Sequence, residues 1–204
     1  MSNPLLEDWY AESVTVGGIG RDSLSRLIEL ASNYVSVIRR FSNSERLRIV
    51  DFGSGVGVPG LLISYLEPTY SVTLVDSMKR RSAVAGSFVD LLGLVDRCDV
   101  VNGRVEELDT ASNSFDIVVA RCFARSSIFV ELACPLLSVG GFILVTSPHD
   151  DYEVRWPVRG LRKFGFGPAE LITEGVDNFG LIRKNSQSLV PRRSYSKIVK
   201  SPLW

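Results

Sequence analysis

The chain has 204 residues, of which 45% are apolar and 23% charged, so it can bury a substantial core and has the composition of an ordinary globular protein. Its formal net charge is zero, which argues against a protein that coats nucleic acid non-specifically. No apolar run approaches the roughly eighteen residues of a membrane span, and the acidic first residues predict no secretory signal.

Helical and strand patterns alternate from residue 22 onward. Asp22 begins a helix whose apolar residues, from Leu24 to Ile38, recur on one face, and a polar stretch at 42–45 ends it. Leu47–Phe52 is typical of a buried strand, and a glycine-rich loop follows it. The next predicted elements are a helix over Val58–Leu66, a strand over Val72–Val75, a helix over Ser77–Leu92 that Gly93 closes, and strands over Asp99–Asn102 and Phe115–Ala120.

The alternation continues to the end of the chain. Seven strands alternating with helices predict an α/β fold with a doubly wound, mainly parallel sheet and an antiparallel edge. Residues 1–45 are predicted to form a short helical extension, and residues 46–204 the core with a basic C-terminal tail, in one globular domain overall. The later predicted elements are a helix over Ser126–Leu137, a Gly-Gly turn, a strand over Phe142–Thr146, a basic helix over Asp151–Lys163 and a hairpin of Ala169–Glu174 with Phe179–Lys184.

The loop after the first strand is the most informative segment. It reads Asp-Phe-Gly-Ser-Gly-Val-Gly-Val-Pro-Gly from Asp51 to Gly60. Glycines let a backbone turn tightly and approach a ligand more closely than any Cβ allows. Pro59 suits the start of a helix, because its missing N–H costs nothing there. Gly55, Gly57 and Gly60 spell G-x-G-x-x-G, a nucleotide-binding pattern that is weak evidence by itself.

Two acids at strand ends narrow the choice of nucleotide. Asp51 precedes the loop where a pyrophosphate would approach, so its carboxylate disfavours NAD and suits the ammonium group of S-adenosylmethionine. Asp76 ends the next strand, where it can accept hydrogen bonds from both ribose hydroxyls of either cofactor. We therefore predict that Asp51, Gly55 and Asp76 bind S-adenosylmethionine on a Rossmann-like methyltransferase fold. A nicotinamide enzyme, or a strand–turn–helix without a ligand, is the weaker interpretation.

Five stretches of the chain together resemble a known family. They are DFGSGVGVPGL at 51–61, VTLVDS at 72–77, GRVEEL at 103–108, FDIVVAR at 115–121 and PLLSVGGFILV at 135–145. In combination they resemble the bacterial small-subunit (16S) ribosomal RNA guanine-N7 methyltransferases, also called the glucose-inhibited division protein B family. Five matching stretches are far more specific than a glycine loop alone.

The resemblance implies an S-adenosylmethionine-dependent methyltransferase and adds further site residues. Gly53 and Val58 would line the cofactor through the loop, and Val105 and Glu106 would flank its adenine. Arg121, at the carboxyl end of the fourth strand, would face the active site beside the cofactor and is the candidate catalytic residue. From the residues alone, Glu106 also fits a solvated acidic turn, and Arg121 an ion pair with a neighbouring acid.

The predicted chemistry needs few other groups. Guanine N7 attacks through a lone pair that carries no proton, so methylation there requires no general base and depends on positioning. Cys122 lies near the site, but packing explains it better than a nucleophilic role. His149, the one histidine, is more typical of a surface turn than of catalysis. Because the cysteines lack CxxC spacing, we expect no metal site and no disulfide framework, and we expect a cytoplasmic location.

Charge is distributed unevenly along the chain. From Arg155 to Trp204 there are ten Lys/Arg and three Asp/Glu, a net charge of +7 on an otherwise acidic body. This region could bind phosphate, and a solvated tail is an equal alternative. Tyr195 and Trp204 add aromatic surface that could stack on bases. The candidate RNA-binding residues are Arg155, Arg159, Arg162 and Lys163, predicted on one helix face, and Arg192, Arg193, Lys197 and Lys200.

The expected partner is small-subunit ribosomal RNA or the assembling small ribosomal subunit, with no DNA and no membrane. The N-terminal region and the basic tail depart from the family pattern, and both are regions that would face the substrate. Two other functions therefore stay open: a small-molecule methyltransferase on the same fold, and a protein that binds the cofactor without catalysis. The target nucleotide and the oligomeric state do not follow from the sequence.

Overall fold

The computed structural model describes residues 3–109, 115–121, 123–147, 152–191 and 193–204. Contacts between residues divide the chain into two compact units, Met1–Arg104 and Val105–Trp204. Within the described ranges, no helix is long and apolar enough to cross a membrane. The predicted organisation, one domain with a helical extension over residues 1–45, stays a prediction.

From residue 3 onward, the first unit contains four helices and three strands. They are α1 (Pro4–Thr15), α2 (Leu24–Phe41), β1 (Arg48–Phe52), α3 (Gly60–Leu66), β2 (Ser71–Asp76), α4 (Lys79–Leu91) and β3 (Cys98–Asn102). The strands are parallel, in the order β3-β2-β1. Their register pairs Asp51 with Leu74 and Asp76 with Asn102, so both predicted acids lie near the carboxyl ends of adjacent strands.

Helix α2 confirms the helical pattern that begins near Asp22. The side chain of Ser23 caps it by accepting a hydrogen bond from the Arg26 N–H. Leu27, Tyr34 and Ile38 are buried at helical spacing on one face, as predicted.

Helix α1 was not apparent from the sequence patterns. Asn3 caps it by accepting a hydrogen bond from the Leu5 N–H at 3.0 Å, and Pro4 is its first residue. Its buried face consists of Leu6, Trp9 and Ser13. Three buried residues, one of them polar, give too weak an apolar period to predict the helix.

An ion pair connects α2 to the segment after α3. The Arg39 guanidinium contacts the carboxylate of Glu67, which is buried, and the Thr69 hydroxyl donates to the same carboxylate at 2.8 Å. Burial acts to raise the pKa of Glu67. The hydrogen bonds and the charge of Arg39 outweigh it, so the pKa of Glu67 lies below its ordinary value.

Among its described residues, the second unit contains four strands and four helices, after a 3₁₀ turn at Val105–Glu107. They are β4 (Phe115–Ala120), α5 (Ser126–Ala133), β5 (Leu137–Thr146), α6 (Tyr152–Arg155), α7 (Val158–Lys163), β6 (Phe166–Glu174), β7 (Asp177–Lys184) and α8 (Tyr195–Lys200). The strand order is β4-β5-β7-β6, with β4 and β5 parallel and the last three strands antiparallel. The predicted antiparallel edge hairpin is confirmed.

The end of α5 differs from the prediction. The helix ends at Ala133 rather than Leu137, because Pro135 has no N–H to continue the helical hydrogen bonds. The Lys184 ammonium of β7 donates to the carbonyl oxygens of Cys134 and Leu137 after the helix, at 2.6 and 2.7 Å. Leu137 already belongs to β5. The Gly-Gly pair is also not a turn before the strand: Gly140 has a φ of +92° inside β5, where the register with β4 shifts.

The predicted basic helix over Asp151–Lys163 is wrong as a single helix. Its predicted start, Asp151, lies outside the described residues. The rest forms two short helices, α6 and α7, separated by Trp156 and Pro157. Proline lacks an N–H and disfavours helical backbone at the residue before it, so the helix is interrupted there. The four cations predicted on one helix face therefore belong to two helices.

Candidate functional site

The glycine loop folds back onto the end of β2. The N–H groups of Gly53 and Ser54 both donate to the carbonyl of Val75, at 2.9 and 3.1 Å. Gly53, Gly55 and Gly57 have φ values of +67°, +59° and +109°. Only glycine adopts this left-handed region at little cost, so the tight turn requires these glycines.

Asp76 is bonded directly to the loop. Its Oδ2 accepts a hydrogen bond from the Gly55 N–H at 2.9 Å, and its Oδ1 accepts one from the Met78 N–H at 2.7 Å. Its main-chain carbonyl accepts from the Gly103 N–H and the Asn102 amide. Asp76 is 9% exposed. A carboxylate accepts about four hydrogen bonds, so two positions remain for donors from a ligand.

Asp51 holds the start of α3. It is completely buried, and its Oδ2 accepts a hydrogen bond from the Gly60 N–H at 2.8 Å. A Cβ on residue 60 would lie 2.8 Å from both Cβ and Oδ2 of Asp51, so this contact requires Gly60. The sequence reasoning missed this anchoring role. Contact between Asp51 and a cofactor ammonium group stays a prediction.

The other predicted cofactor residues occupy both units. Val58, in the first unit, is buried, and its N–H donates to the Ser54 carbonyl at 3.0 Å. In the second unit, Val105 is buried on the 3₁₀ turn and Glu106 beside it is half-buried. Arg121 is half-buried directly after the carboxyl end of β4, where the sequence predicted it. The roles of these residues toward a cofactor stay predictions.

Two further residues weighed for catalysis, Cys122 and His149, lie outside the described residues. The cysteines that are described, Cys98 and Cys134, are free and buried. Burial raises the pKa of the Cys98 thiol to about 12, which makes it unreactive near neutral pH.

Most of the predicted RNA-binding cations are on the surface of the second unit. Arg192 lies outside the described residues, and Lys163 is half-buried. The exposed members are Arg155 on α6, Arg159 and Arg162 on α7, and Lys197 and Lys200 on α8.

Arg193 requires a correction. Its guanidinium makes a two-point ion pair with the buried Glu131 of α5, with both N–O distances at 2.5 Å. A third nitrogen donates to the carbonyl of Ser201 at 2.9 Å. Because these donors are occupied inside the protein, we assign Arg193 to holding the C-terminal segment rather than to RNA.

Trp204 requires a similar correction. Its ring packs against Phe164, with centroids 5.9 Å apart, and a Cβ on Gly160 would lie 2.7 Å from its Cδ2. The ring therefore packs on α7 and is only half-buried there, so part of its surface is used within the protein. Tyr195 is 38% exposed, and its contact with bases stays a prediction.

The sequence reasoning also missed contacts that residues before Ile19 make with the glycine loop and with α4. The Trp9 indole N–H donates to the carbonyl of Val56 at 2.9 Å, and Arg81 donates to the carbonyl of Gly17 at 2.9 Å. No local pattern connects Trp9 to a loop 47 residues away.

Seven strands with this pairing, a glycine loop after β1 and an acid at the end of β2 define a Rossmann-like methyltransferase fold. A SAM-dependent methyltransferase from Aquifex aeolicus has a similar structure, with a TM-score of 0.60 over 79% of this chain and 93% of that chain. At 19% sequence identity, this likeness shows the fold alone. The predicted fold class is confirmed.

The sequence comparisons identify the family. Residues 19–155 match the family described as rRNA small subunit methyltransferase G, and the chain belongs to this family. A ribosomal RNA small subunit methyltransferase G from Burkholderia cenocepacia is 35% identical over 138 residues, which cover 66% of this chain and 60% of the relative. A protein of the same name from Lactobacillus delbrueckii is 34% identical over 126 residues, covering 60% of this chain and 52% of the relative. The chain thus matches little more than half the length of these relatives.

Proposed function

We propose that this protein transfers the methyl group of S-adenosylmethionine to N7 of a guanine in small-subunit ribosomal RNA. The observation that carries the proposal is the hydrogen bond from the Gly55 N–H to the Asp76 carboxylate, which holds against the glycine loop the acid that would bind the ribose. Membership of the rRNA small subunit methyltransferase G family supports the substrate class.

The residues of the first unit fit this cofactor. The two remaining acceptor positions of Asp76 match the two hydroxyls of a ribose. Beside the loop, a Cβ on Gly55 would meet no atom closer than 4.0 Å, the Cδ of Arg81. A ligand can therefore approach this backbone closely. Asp51 is completely buried, so it would attract the ammonium group through its charge rather than from an exposed position.

The residues of the second unit would act on the adenine and on the acceptor base. Val105 is buried and Glu106 half-buried on one turn, an arrangement that suits an apolar contact to the adenine ring and a polar contact to its edge. Arg121, after the carboxyl end of β4, would orient the acceptor beside the cofactor. Ligands of open α/β sheets bind at these strand ends.

The acceptor chemistry asks little of the protein. Bound S-adenosylmethionine supplies a methyl group on a sulfonium, which is already a good leaving group. Guanine N7 offers a lone pair and has no proton to lose, so no residue needs to act as a base. The protein contributes by holding the two reactants in line, an effect worth up to about 7–11 kcal/mol.

RNA would bind through the exposed cations of the second unit. Lys197 and Lys200 lie on α8, and Arg159 and Arg162 lie on α7. Each phosphate that such a cation contacts releases counterions, so binding weakens as salt increases. Arg155 and Lys163 are further candidates for RNA binding. Arg192 is a candidate on the evidence of the sequence alone. The free, buried thiols of Cys98 and Cys134 are consistent with a cytoplasmic location.

Calorimetric titration tests the cofactor part of the proposal. We expect S-adenosylmethionine and its demethylated product to bind, and NAD not to bind. Binding of NAD without binding of S-adenosylmethionine would contradict the proposal. If the methionine cofactor binds but only small acceptors are methylated, the alternative of a small-molecule methyltransferase replaces the RNA substrate.

A further inference from the structure

The N-terminal helix contacts the glycine loop from a part of the chain that the family match does not include. That match begins at residue 19, whereas Trp9 of α1 is completely buried against the loop. Its indole N–H donates to the carbonyl of Val56 at 2.9 Å, and Val56 is itself completely buried. A buried carbonyl needs a donor, and here α1 supplies it.

A second contact reaches Val56 from the connection between α1 and α2. A Cβ on Gly18 would overlap Cγ1 of Val56 and lie 3.1 Å from its Cγ2, so the Gly18 backbone packs directly on that side chain, and Val56 must shift if residue 18 gains a Cβ. The neighbouring Gly17 carbonyl accepts a hydrogen bond from Arg81 at 2.9 Å. Arg81 in turn lies beside the Gly55 position of the loop.

Helix α1 is also held by contacts that do not involve the loop. The Asn3 side-chain amide donates to the Tyr65 hydroxyl of α3 at 3.0 Å. The Tyr10 hydroxyl donates to the carbonyl of Asp22, just before α2, at 3.0 Å. The Asn3 contact fixes the start of α1 to α3, so α1 can act as a support for the loop without the Tyr10 hydrogen bond.

We propose that residues 3–20 form a brace that holds the glycine loop in its cofactor-receiving shape, with Trp9 and Gly18 as positioning residues. The inference rests on the proposed function for its ligand, S-adenosylmethionine. Three left-handed glycines give this loop much conformational freedom to lose on ordering. Contacts that already order the loop in the ligand-free protein reduce the entropy that is lost when the cofactor binds. The brace should therefore affect cofactor affinity and leave the methyl-transfer step alone.

A matched pair of hydrogen-bond deletions tests Trp9. Trp9→Phe removes the indole donor to Val56, and Tyr10→Phe removes a donor from the same helix that does not touch the loop. We expect Trp9→Phe to raise the Kd and KM for S-adenosylmethionine about two- to tenfold, the effect of one net hydrogen bond. Its kcat at saturating cofactor should stay at the wild-type value, and Tyr10→Phe should change neither constant.

A matched pair of glycine substitutions tests Gly18. Gly18→Ala places a methyl group against Val56, whereas Gly20→Ala meets open space. We expect Gly18→Ala to weaken cofactor binding about two- to tenfold and Gly20→Ala to have no effect. Trp9→Phe also leaves a void, because phenylalanine is smaller than tryptophan. The glycine pair adds atoms and creates no void, so it tests the contact with Val56 without that effect.

Amide hydrogen exchange of the ligand-free protein separates the brace from the proposed function. The amides of residues 53–58 should exchange faster in Trp9→Phe and Gly18→Ala than in wild type, Tyr10→Phe and Gly20→Ala. Unchanged exchange and unchanged affinity in the first two variants would overturn the inference. Equal losses in Tyr10→Phe would also overturn it, because they would indicate general destabilisation. If wild type does not bind S-adenosylmethionine, the proposed function fails, and the exchange comparison still decides whether the brace holds the loop.

Discussion

Replacing Asp76 with asparagine separates two roles of one side chain. Each carboxylate oxygen accepts one backbone N–H, from Gly55 at 2.9 Å and from Met78 at 2.7 Å. Asparagine has the same shape but only one acceptor oxygen, so its NH₂ group would face one of these two donors. A hydrogen bond to a charged group contributes about 1.5–3 kcal/mol. We therefore expect Asp76→Asn to lose about 1.5–3 kcal/mol of unfolding free energy without any ligand.

Urea unfolding of the ligand-free protein measures this loss, and calorimetry measures the effect on the cofactor. Asp99→Asn is the control, because Asp99 is exposed on the neighbouring strand β3. Its stability should stay within about 0.5 kcal/mol of wild type. S-adenosylmethionine should bind Asp76→Asn at least about tenfold more weakly, since one lost ribose contact corresponds to about 1.4 kcal/mol.

Two outcomes would contradict the double role of Asp76. If ligand-free Asp76→Asn is as stable as wild type and only its cofactor affinity falls, then Asp76 does not hold the loop and serves the ligand alone. If stability falls and affinity does not, then Asp76 is a structural residue and the ribose assignment is wrong.

Three other predictions use the structure in different ways. Gly55 and Gly93 have similar φ values, +59° and +67°, and a Cβ on either would have no protein atom in close contact. We expect Gly55→Ala and Gly93→Ala each to lower the unfolding free energy by about 1 kcal/mol. Only Gly55→Ala should weaken cofactor binding in a titration. Arg193→Met should lower the unfolding free energy by about 3 kcal/mol, because it leaves a buried acid unpaired, while the salt dependence of RNA binding stays unchanged. The pKa of Glu67 is held below its ordinary value. The pair with Arg39 therefore stabilises the protein fully when the pH is above that ordinary pKa, and this stability is lost as the pH falls through the lowered pKa. Glu67→Gln should reduce the dependence of the melting temperature on acid pH, and an unchanged dependence would exclude the pair as its source.

The sequence was most informative where a local pattern determines local structure. Strands β1 and β4 contain short apolar runs, at 49–50 and 117–120, and Gly53, Gly55 and Gly57 have the positive φ values for which glycine is needed. Asp76 was placed correctly because it ends a strand, and strand ends are where such sheets bind ligands. Pro157 also lies in the sequence as a residue that interrupts helices, whereas the helical spacing of the surrounding cations favours one continuous helix. The effect of the proline decides the structure.

The remaining features depend on contacts between distant residues. Arg193 pairs with Glu131, 62 positions earlier, so its position in a basic tail gives a misleading impression of availability. Trp9 contacts a loop carbonyl 47 positions later, and nothing in the pattern of α1 indicates that partner. These contacts arise from packing, which composition and periodicity do not encode.

The proposed activity is measured by methyl transfer from labelled S-adenosylmethionine to unmodified small-subunit ribosomal RNA, offered both free and in the assembling subunit. We expect label on N7 of a guanine, and less of it in Asp76→Asn and Arg121→Ala. We also expect a salt dependence of RNA binding that becomes shallower by about one unit for each phosphate contact removed at Lys197 and Lys200. Absence of label from both forms of the RNA, in a protein that binds the cofactor tightly, would contradict the account.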